Sequence, residues 1–129
     1  MYPDDLRYTP EHEWIRRESP TVLRFGITSF ATEALGDVVY VALPAVGSAL
    51  VGGQPCGEVE STKSVSDLYA PLDGKVVEVN ADLEDSPEMV NAEPYGEGWM
   101  VVVECATAED ADAVWSSLLT AAQYADGLS

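Results

Sequence analysis

The segment Glu58–Asp67, with the sequence EVESTKSVSD, places one of the chain's two lysines between two short apolar stretches. Val59 alternates with acidic neighbours and Val65 opens the next apolar stretch, a pattern that predicts strand, polar turn and strand. Lys63 then lies at the tip of a hairpin, where a modifying enzyme can reach it. We therefore interpret Lys63 as an attachment point. The alternative that this local pattern leaves open is an ordinary exposed turn lysine.

A symmetric spacing surrounds this hairpin. Gly52 and Gly74 lie at 63 − 11 and 63 + 11, each beside a turn-like cluster. The strand pattern of Gly36–Val41 (GDVVYV) also recurs 38 residues later in Gly74–Val79 (GKVVEV). Two similar half-units predict a mainly β fold, a flattened barrel built from two quasi-symmetric halves. Because G-x-V-V-x-V is a plain strand pattern, a chance recurrence is the alternative.

Length and charge limit the kinds of partner. The chain has 129 residues and a formal net charge of −17, which indicates one domain (residues 1–129) that avoids nucleic acid and anionic membranes. Met1–Asp5 carries acids where a signal peptide needs a basic region, so we expect a cytoplasmic protein. Cys56, Cys105 and His12 show no metal-site spacing, and we expect no metal and two buried free thiols. His12 is interpreted as structural.

The remaining segments predict short helices around a β core at about residues 22–105. Ser29 precedes a short helix that Gly36 closes, and Ser86-Pro87 indicates one helical turn. Residues 99–103 are the most hydrophobic stretch and predict a central strand. Thr107 opens a helix, and C-terminal helices are expected over about 107–126. One face of the first of them carries the apolar residues Ala111, Val114, Trp115 and Leu118.

Catalytic motifs are missing from the sequence. Residues 47–53 lack the lysine and the spacing of a phosphate-binding loop, and no nucleophile elbow is present. Carboxylates are numerous, but their number alone does not make an acid–base pair. The residues therefore predict a carrier and not an enzyme.

The turn Glu60-Ser61-Thr62-Lys63-Ser64 resembles a lipoyl attachment turn, in which an acid three residues before the lysine is typical. Biotinyl attachment turns place methionines on both sides of the lysine, where this chain has Thr62 and Ser64. We therefore expect lipoate on Lys63, with the modifying enzyme recognising Glu60, Ser61, Thr62 and Ser64.

The resemblance extends over nearly the whole chain. Its further segments are Tyr8-Thr9-x-x-His12-Glu13-Trp14, Gly26-Ile27-Thr28, Ala34-Leu35-Gly36-Asp37, Leu43-Pro44-x-x-Gly47, Ser66-Asp67-x-Tyr69-Ala70-Pro71, Leu83-x-x-Ser86-Pro87 and Asn91-x-x-Pro94-Tyr95-Gly96-x-Gly98-Trp99. Together they resemble the H-protein family of the glycine cleavage system. Lipoyl domains of the 2-oxoacid dehydrogenases share the turn but are not expected to carry the first and last of these segments.

The resemblance implies a barrel-sandwich fold and a lipoylated, non-enzymatic carrier of the aminomethyl group of glycine. The implied partners are a pyridoxal-phosphate glycine decarboxylase, a tetrahydrofolate-dependent aminomethyltransferase, an FAD-dependent dihydrolipoyl dehydrogenase and a lipoylating enzyme. It also implies a cleft for the loaded lipoyl arm, with Glu13 and Asp67 near the aminomethyl ammonium. Glu11 and Ala34 stand where some members of the family have Ser and His.

Two other functions stay open at this point. One is a lipoyl relay outside glycine cleavage, and the other is an unmodified interaction module with an acidic surface. In each case we expect a monomer.

Overall fold

The computed structural model describes residues 2–128, so Met1 and Ser129 of the predicted domain 1–129 lie outside the described residues. The strands are β1 Arg7–Tyr8, β2 Glu13–Arg17, β3 Val22–Ile27, β4 Val38–Ala42, β5 Ala49–Leu50, β6 Pro55–Ser61, β7 Val65–Tyr69, β8 Gly74–Val79 and β9 Val101–Glu104. The helices are α1 Ser29–Leu35, α2 Asp82–Asp85, α3 Met89–Ala92, α4 Ala108–Ser117 and α5 Ala121–Gly127. The fold is mainly β with short helices, as the sequence predicted.

The strands form two antiparallel sheets. The larger has the order β1-β2-β3-β9-β8-β5 and the smaller β4-β6-β7. Strand β9 lies between β3 and β8, and Val101, Val102 and Val103 are buried. This confirms the predicted central strand, although it begins at Val101 because Trp99 and Met100 lie in the preceding loop. One apolar core, with residues such as Phe25, lies between the sheets.

The quasi-repeat places one strand in each sheet, β4 in the smaller and β8 in the larger. The register of β4 shifts between Val38 and Tyr40, and that of β8 shifts between Val76 and Glu78. These positions differ by the same 38 residues as the sequence repeat, so the two halves share a β-bulge as well as a strand. The extra residues, Val39 and Val77, are both exposed.

Helix α1 begins one residue earlier than the sequence indicated. Thr28, and not Ser29, is its cap: the Thr28 side chain accepts a hydrogen bond from the Ala31 N–H. Gly36 closes the helix with φ of 82°, as predicted. The single turn predicted at Ser86-Pro87 is wrong. Two helices flank these residues, because Ser86 ends α2 with its N–H on the Asp82 carbonyl and Pro87 precedes α3.

The C-terminal helices lie where the sequence predicted them, and the predicted cap Thr107 is confirmed. Thr107 accepts from the Asp110 N–H, and Thr120 forms a reciprocal capping box with Gln123. The face of α4 predicted to be apolar packs on the main core. Helix α5 covers a second cluster through Tyr124, which stacks on Tyr8 at 4.8 Å. Among residues 2–128, no helix has the length and apolar character needed to cross a membrane.

Candidate functional site

Lys63 lies at the exposed tip of the hairpin between β6 and β7, as predicted. Ser61 is buried, and its N–H donates to the Ser64 carbonyl at 2.8 Å. The Ser61 hydroxyl oxygen accepts from the N–H groups of Ser64 at 3.2 Å and Lys63 at 3.4 Å. Since Ser61 holds the turn, the side chains of Glu60, Thr62, Lys63 and Ser64 are left exposed to a modifying enzyme.

The stem of Lys63 passes over the end of α1. A Cβ on Gly36 would lie 3.5 Å from Lys63 Cε, an ordinary van der Waals contact, so the positive φ of Gly36 and not the contact favours glycine here. The Thr62 N–H donates to the Asp37 carbonyl at 3.1 Å and ties the hairpin to the start of β4. The lysine therefore lies beside α1 and not in free solvent on every side.

Asn91 fixes the segment under the lysine. Its side-chain amide donates to the Gly36 carbonyl and accepts from the Val38 N–H, both at 2.9 Å. Asn91 belongs to one of the segments that resemble the family, but no local pattern predicts this contact because α3 and the Gly36 turn are far apart in the chain. Asn91 is thus a structural support of the site that sequence reasoning missed.

Glu13 and Asp67 lie in one cleft of about 180 Å³. Asp67 is on edge strand β7 and Glu13 is the first residue of β2. Apolar side chains from α1, β3 and both strands of the hairpin complete its walls: Ile27, Ala31, Leu35, Val59 and Leu68. Leu35 immediately precedes Gly36, so the cleft begins next to the stem of Lys63. Both residues that the sequence analysis paired therefore line the same cleft.

Glu13 is only 1% exposed. The Thr9 hydroxyl donates to its carboxyl at 3.2 Å. Burial raises the pKa of Glu13 from its ordinary 4.5 to about 8, and hydrogen bonds from Thr9 and the Tyr69 backbone only partly oppose this. The carboxyl is therefore largely neutral at pH 7, and a cation entering the cleft would favour its ionisation.

We expect Glu13→Gln to change how stability depends on pH. Between 4.5 and about 8, folded Glu13 keeps a proton that the unfolded chain has lost, so the free energy of unfolding of the wild type falls as pH rises. Glutamine does not titrate, so the variant lacks this fall in the free energy of unfolding. Relative to wild type, the variant should gain up to about 1.4 kcal/mol per pH unit over the interval. Urea unfolding of both proteins between pH 5 and pH 8.5 measures the difference.

The matched control for this experiment is Glu78→Gln, because Glu78 is exposed on β8. This change should leave the pH profile parallel to that of the wild type. A Glu13→Gln profile that is also parallel would show that Glu13 ionises in the folded protein as it does in the unfolded chain.

His12 also lines the cleft, but its side chain contacts residues that do not line it. Its Nδ1 lies 2.8 Å from the Tyr124 hydroxyl, and its ring packs on Phe30 at 4.6 Å between centroids. Burial lowers the pKa of His12, which favours the neutral ring. These contacts fit the structural role expected from the sequence, since they connect the cleft wall to α5. Glu11 and Ala34 line the same cleft.

Both cysteines are free thiols. Cys105 is buried, whereas Cys56 is only half-buried and so corrects the expectation that both are enclosed. Burial nevertheless raises the pKa of Cys56 to about 11. Because the thiolate is the reactive form, Cys56 is a weak nucleophile at neutral pH.

Comparison with known proteins identifies the family. The family model described as Glycine cleavage H-protein matches residues 6–129. The chain is 56% identical over 124 residues to the glycine cleavage system H protein of Mycobacteroides abscessus, covering 96% of this chain and 95% of that protein. It is 55% identical over 122 residues to the protein of the same name from Mycobacterium avium, covering 95% and 92%.

A solved structure resembles the fold. The crystal structure of a glycine cleavage system H protein from Mycobacterium marinum has a TM-score of 0.86 and 45% sequence identity, and the match covers 98% of each chain. This confirms the barrel-sandwich fold that the resemblance implied. The chain therefore belongs to the glycine cleavage H-protein family.

Proposed function

We propose that this chain is the lipoylated carrier protein of a glycine cleavage system, with lipoate in amide linkage to Lys63. It receives the aminomethyl group of glycine from a pyridoxal-phosphate glycine decarboxylase and delivers it to a tetrahydrofolate-dependent aminomethyltransferase. An FAD-dependent dihydrolipoyl dehydrogenase then reoxidises the carrier. The chain itself catalyses none of these reactions. Its family membership supports the general carrier role, and the geometry of the site supports the individual assignments.

The observation that carries the proposal is the position of Lys63 relative to the cleft. The amine is exposed at a turn that Ser61 holds from beneath, and its stem crosses Gly36 next to the cleft containing Glu13 and Asp67. A group attached at Lys63 can therefore either extend into solvent or fold back into the cleft. A carrier needs both positions, one for delivery and one for transit.

The residues of the site fit a lipoyl group. When bound, lipoate would supply a disulfide that is cleaved reductively as cargo is loaded and that is left as a dithiol once the cargo has been delivered. Lys63 anchors it, Leu35 and Val59 give the cleft apolar walls, and Glu13 and Asp67 provide carboxylates for an ammonium. The high pKa of Cys56 is compatible with this cofactor, because a protonated thiol does not attack a disulfide.

The tether also explains why a protein without catalytic groups is useful. A covalently held carrier converts successive bimolecular encounters into local ones at high effective concentration. We propose that the protein acts as a monomer. We also propose that it acts in the cytoplasm, because its two free thiols suit a reducing compartment. Its net charge of −17 favours basic protein surfaces as partners, and not nucleic acid or anionic membranes.

The test combines intact mass with reconstitution. Protein from its native host should carry one lipoyl group. With the decarboxylase, the aminomethyltransferase, the dehydrogenase, tetrahydrofolate and NAD, this protein should make NADH formation depend on glycine. Lipoylated protein without glycine-dependent NADH would indicate a relay outside glycine cleavage. Protein that is never lipoylated would indicate an unmodified interaction module.

A further inference from the structure

The outer face of the three-stranded sheet exposes three large apolar side chains beside Lys63. Val39 is 47% exposed, Tyr40 53% and Val65 57%. Tyr40 pairs with Glu60, which pairs with Val65, so neighbouring strands place these residues in one row. Because adjacent strands lie about 4.8 Å apart, the row spans about 10 Å. Val39, Tyr40 and Val65 are called the hairpin patch below.

The β-bulge in β4 enlarges this patch. Val38 pairs with Ser61 and Tyr40 pairs with Glu60, which leaves Val39 as the extra residue. In a regular strand, successive side chains point to opposite faces, so one of two consecutive residues would turn toward the core. The bulge instead exposes both Val39 and Tyr40. Bulges of this kind often re-aim side chains next to functional sites.

The patch lies within a negatively charged surface. Lys63 is the only basic residue between Arg24 and Lys75 in the sequence. Glu60 on β6 lies between Tyr40 and Val65, and further exposed acids flank the patch: Asp37 just before β4, Glu58 on β6 and Asp67 on β7. The arginines are engaged on other parts of the molecule: Arg7 stacks on Trp115, Arg16 on Trp14 and Arg24 on Trp99, and Arg17 pairs with Asp112. A surface on which apolar side chains and acids are neighbours is complementary to a partner surface that combines apolar and basic groups.

We propose that the hairpin patch is the docking surface for the basic face of the enzyme that attaches the lipoyl group, an inference that rests on the proposed attachment at Lys63. In that reaction the deprotonated Lys63 amine attacks the acyl carbon of lipoyl adenylate. The amide C–N bond forms, the acyl C–O bond to AMP breaks, AMP leaves with the electron pair, and the second amine proton passes to solvent.

The short length of the unmodified Lys63 side chain distinguishes the enzyme that attaches lipoate from the other partners. Before modification, the amine extends from the backbone only by the flexible four-carbon stem of Lys63. An active site that engages this amine must therefore contact the surface beside the hairpin. Partners that act on the attached lipoyl group work at the end of a much longer arm. They can dock farther away, so the patch is required for attachment more strictly than for the later steps.

The test measures attachment to unmodified protein by a lipoate ligase supplied with lipoate and ATP. The triple variant Val39→Thr, Tyr40→Thr and Val65→Thr keeps residues that favour β-strands while adding hydroxyls to the patch. We expect its KM to rise on the order of tenfold with kcat unchanged, because tyrosine is one of the residue types that contribute most to binding at interfaces and the variant removes Tyr40. Initial rates by intact mass give both constants. The wild-type rate should also fall as salt increases.

Val77→Thr is the matched control, because Val77 is the exposed bulge residue at the equivalent position of β8, on the other sheet. Its KM should equal that of the wild type. Val39→Thr alone, at a position without a ladder partner, gives a second measurement if the triple variant unfolds. A wild-type KM in a folded triple variant would overturn the docking inference alone. Wild-type protein that the ligase leaves unmodified would overturn both this inference and attachment at Lys63.

Discussion

Lys63→Arg is expected to abolish both lipoyl attachment and glycine-dependent carrier activity while leaving the fold intact. An arginine keeps the positive charge at the hairpin tip but offers a permanently protonated guanidinium in place of an amine that can lose a proton and attack an acyl group. The side chain is exposed, and the turn is held by Ser61, so the change should cost no more than about 0.5 kcal/mol of stability.

Lys75→Arg is the control for this experiment, because Lys75 is the other lysine of the chain. It is exposed within β8, where it pairs with Ala49 and Glu104, and it lacks the presentation of a hairpin tip. The variant should be lipoylated and active like the wild type. Peptide mapping by mass spectrometry locates the modification. A lipoyl group on Lys75, or active protein with unmodified Lys63, would show that the site is assigned to the wrong residue.

The hairpin, the central strand and the starts of the C-terminal helices could be predicted because each depends on a local pattern. Val59 and Val65 on either side of a polar turn allow few other structures, and Thr107 and Thr120 cap helices through contacts within one turn. The boundaries of the helices were harder to predict. Thr28 and Ser29 are both good caps, and only the three-dimensional structure shows that Thr28 bonds the Ala31 N–H.

The bulges and the burial of Glu13 could not be predicted from local pattern. Val38 and Val39 are chemically alike, so nothing in the sequence says which turns inward; pairing with Ser61 makes Val38 the buried one. Glu13 ends the polar stretch Glu11-His12-Glu13, where a surface acid would be expected. Its burial follows from the packing of β7 and α1 around it, and those contacts are between segments distant in the chain. The resemblance to a family indicated the pair Glu13 and Asp67, whereas the structure shows that only Glu13 is buried.

The second large effect concerns retention of the cargo. With the lipoyl arm loaded, Glu13→Gln and Asp67→Asn should each increase the rate at which isolated protein releases ammonia and formaldehyde in the absence of aminomethyltransferase. In the proposed function, each change removes one charge-assisted hydrogen bond to the aminomethyl ammonium. Such a bond contributes roughly 1.5 to 3 kcal/mol, so the loaded arm should spend on the order of tenfold to a hundredfold more time in solvent.

Both variants should still reach full lipoylation, because Glu13 lies buried on β2 and Asp67→Asn removes only one of several acids beside the hairpin patch. Intact mass therefore serves as the control, and only fully lipoylated, folded protein enters the release assay. Glu58→Gln is a matched variant for Asp67→Asn: Glu58 pairs with Asp67 across the hairpin but does not line the cleft. Its release rate should equal that of the wild type.

The raised pKa of Glu13 adds a pH dependence that a surface acid would not have. In the empty cleft, the neutral carboxyl avoids a buried, unpaired charge, and an incoming ammonium stabilises the carboxylate and displaces its proton. Since docking of the loaded arm then releases a proton, retention should weaken as pH falls below about 8. Wild-type release should accelerate toward pH 6 more steeply than release from Glu13→Gln, which has no proton to displace. Equal rates in wild type and both cleft variants across this range would mean that neither carboxylate holds the cargo, even if lipoylation at Lys63 stands.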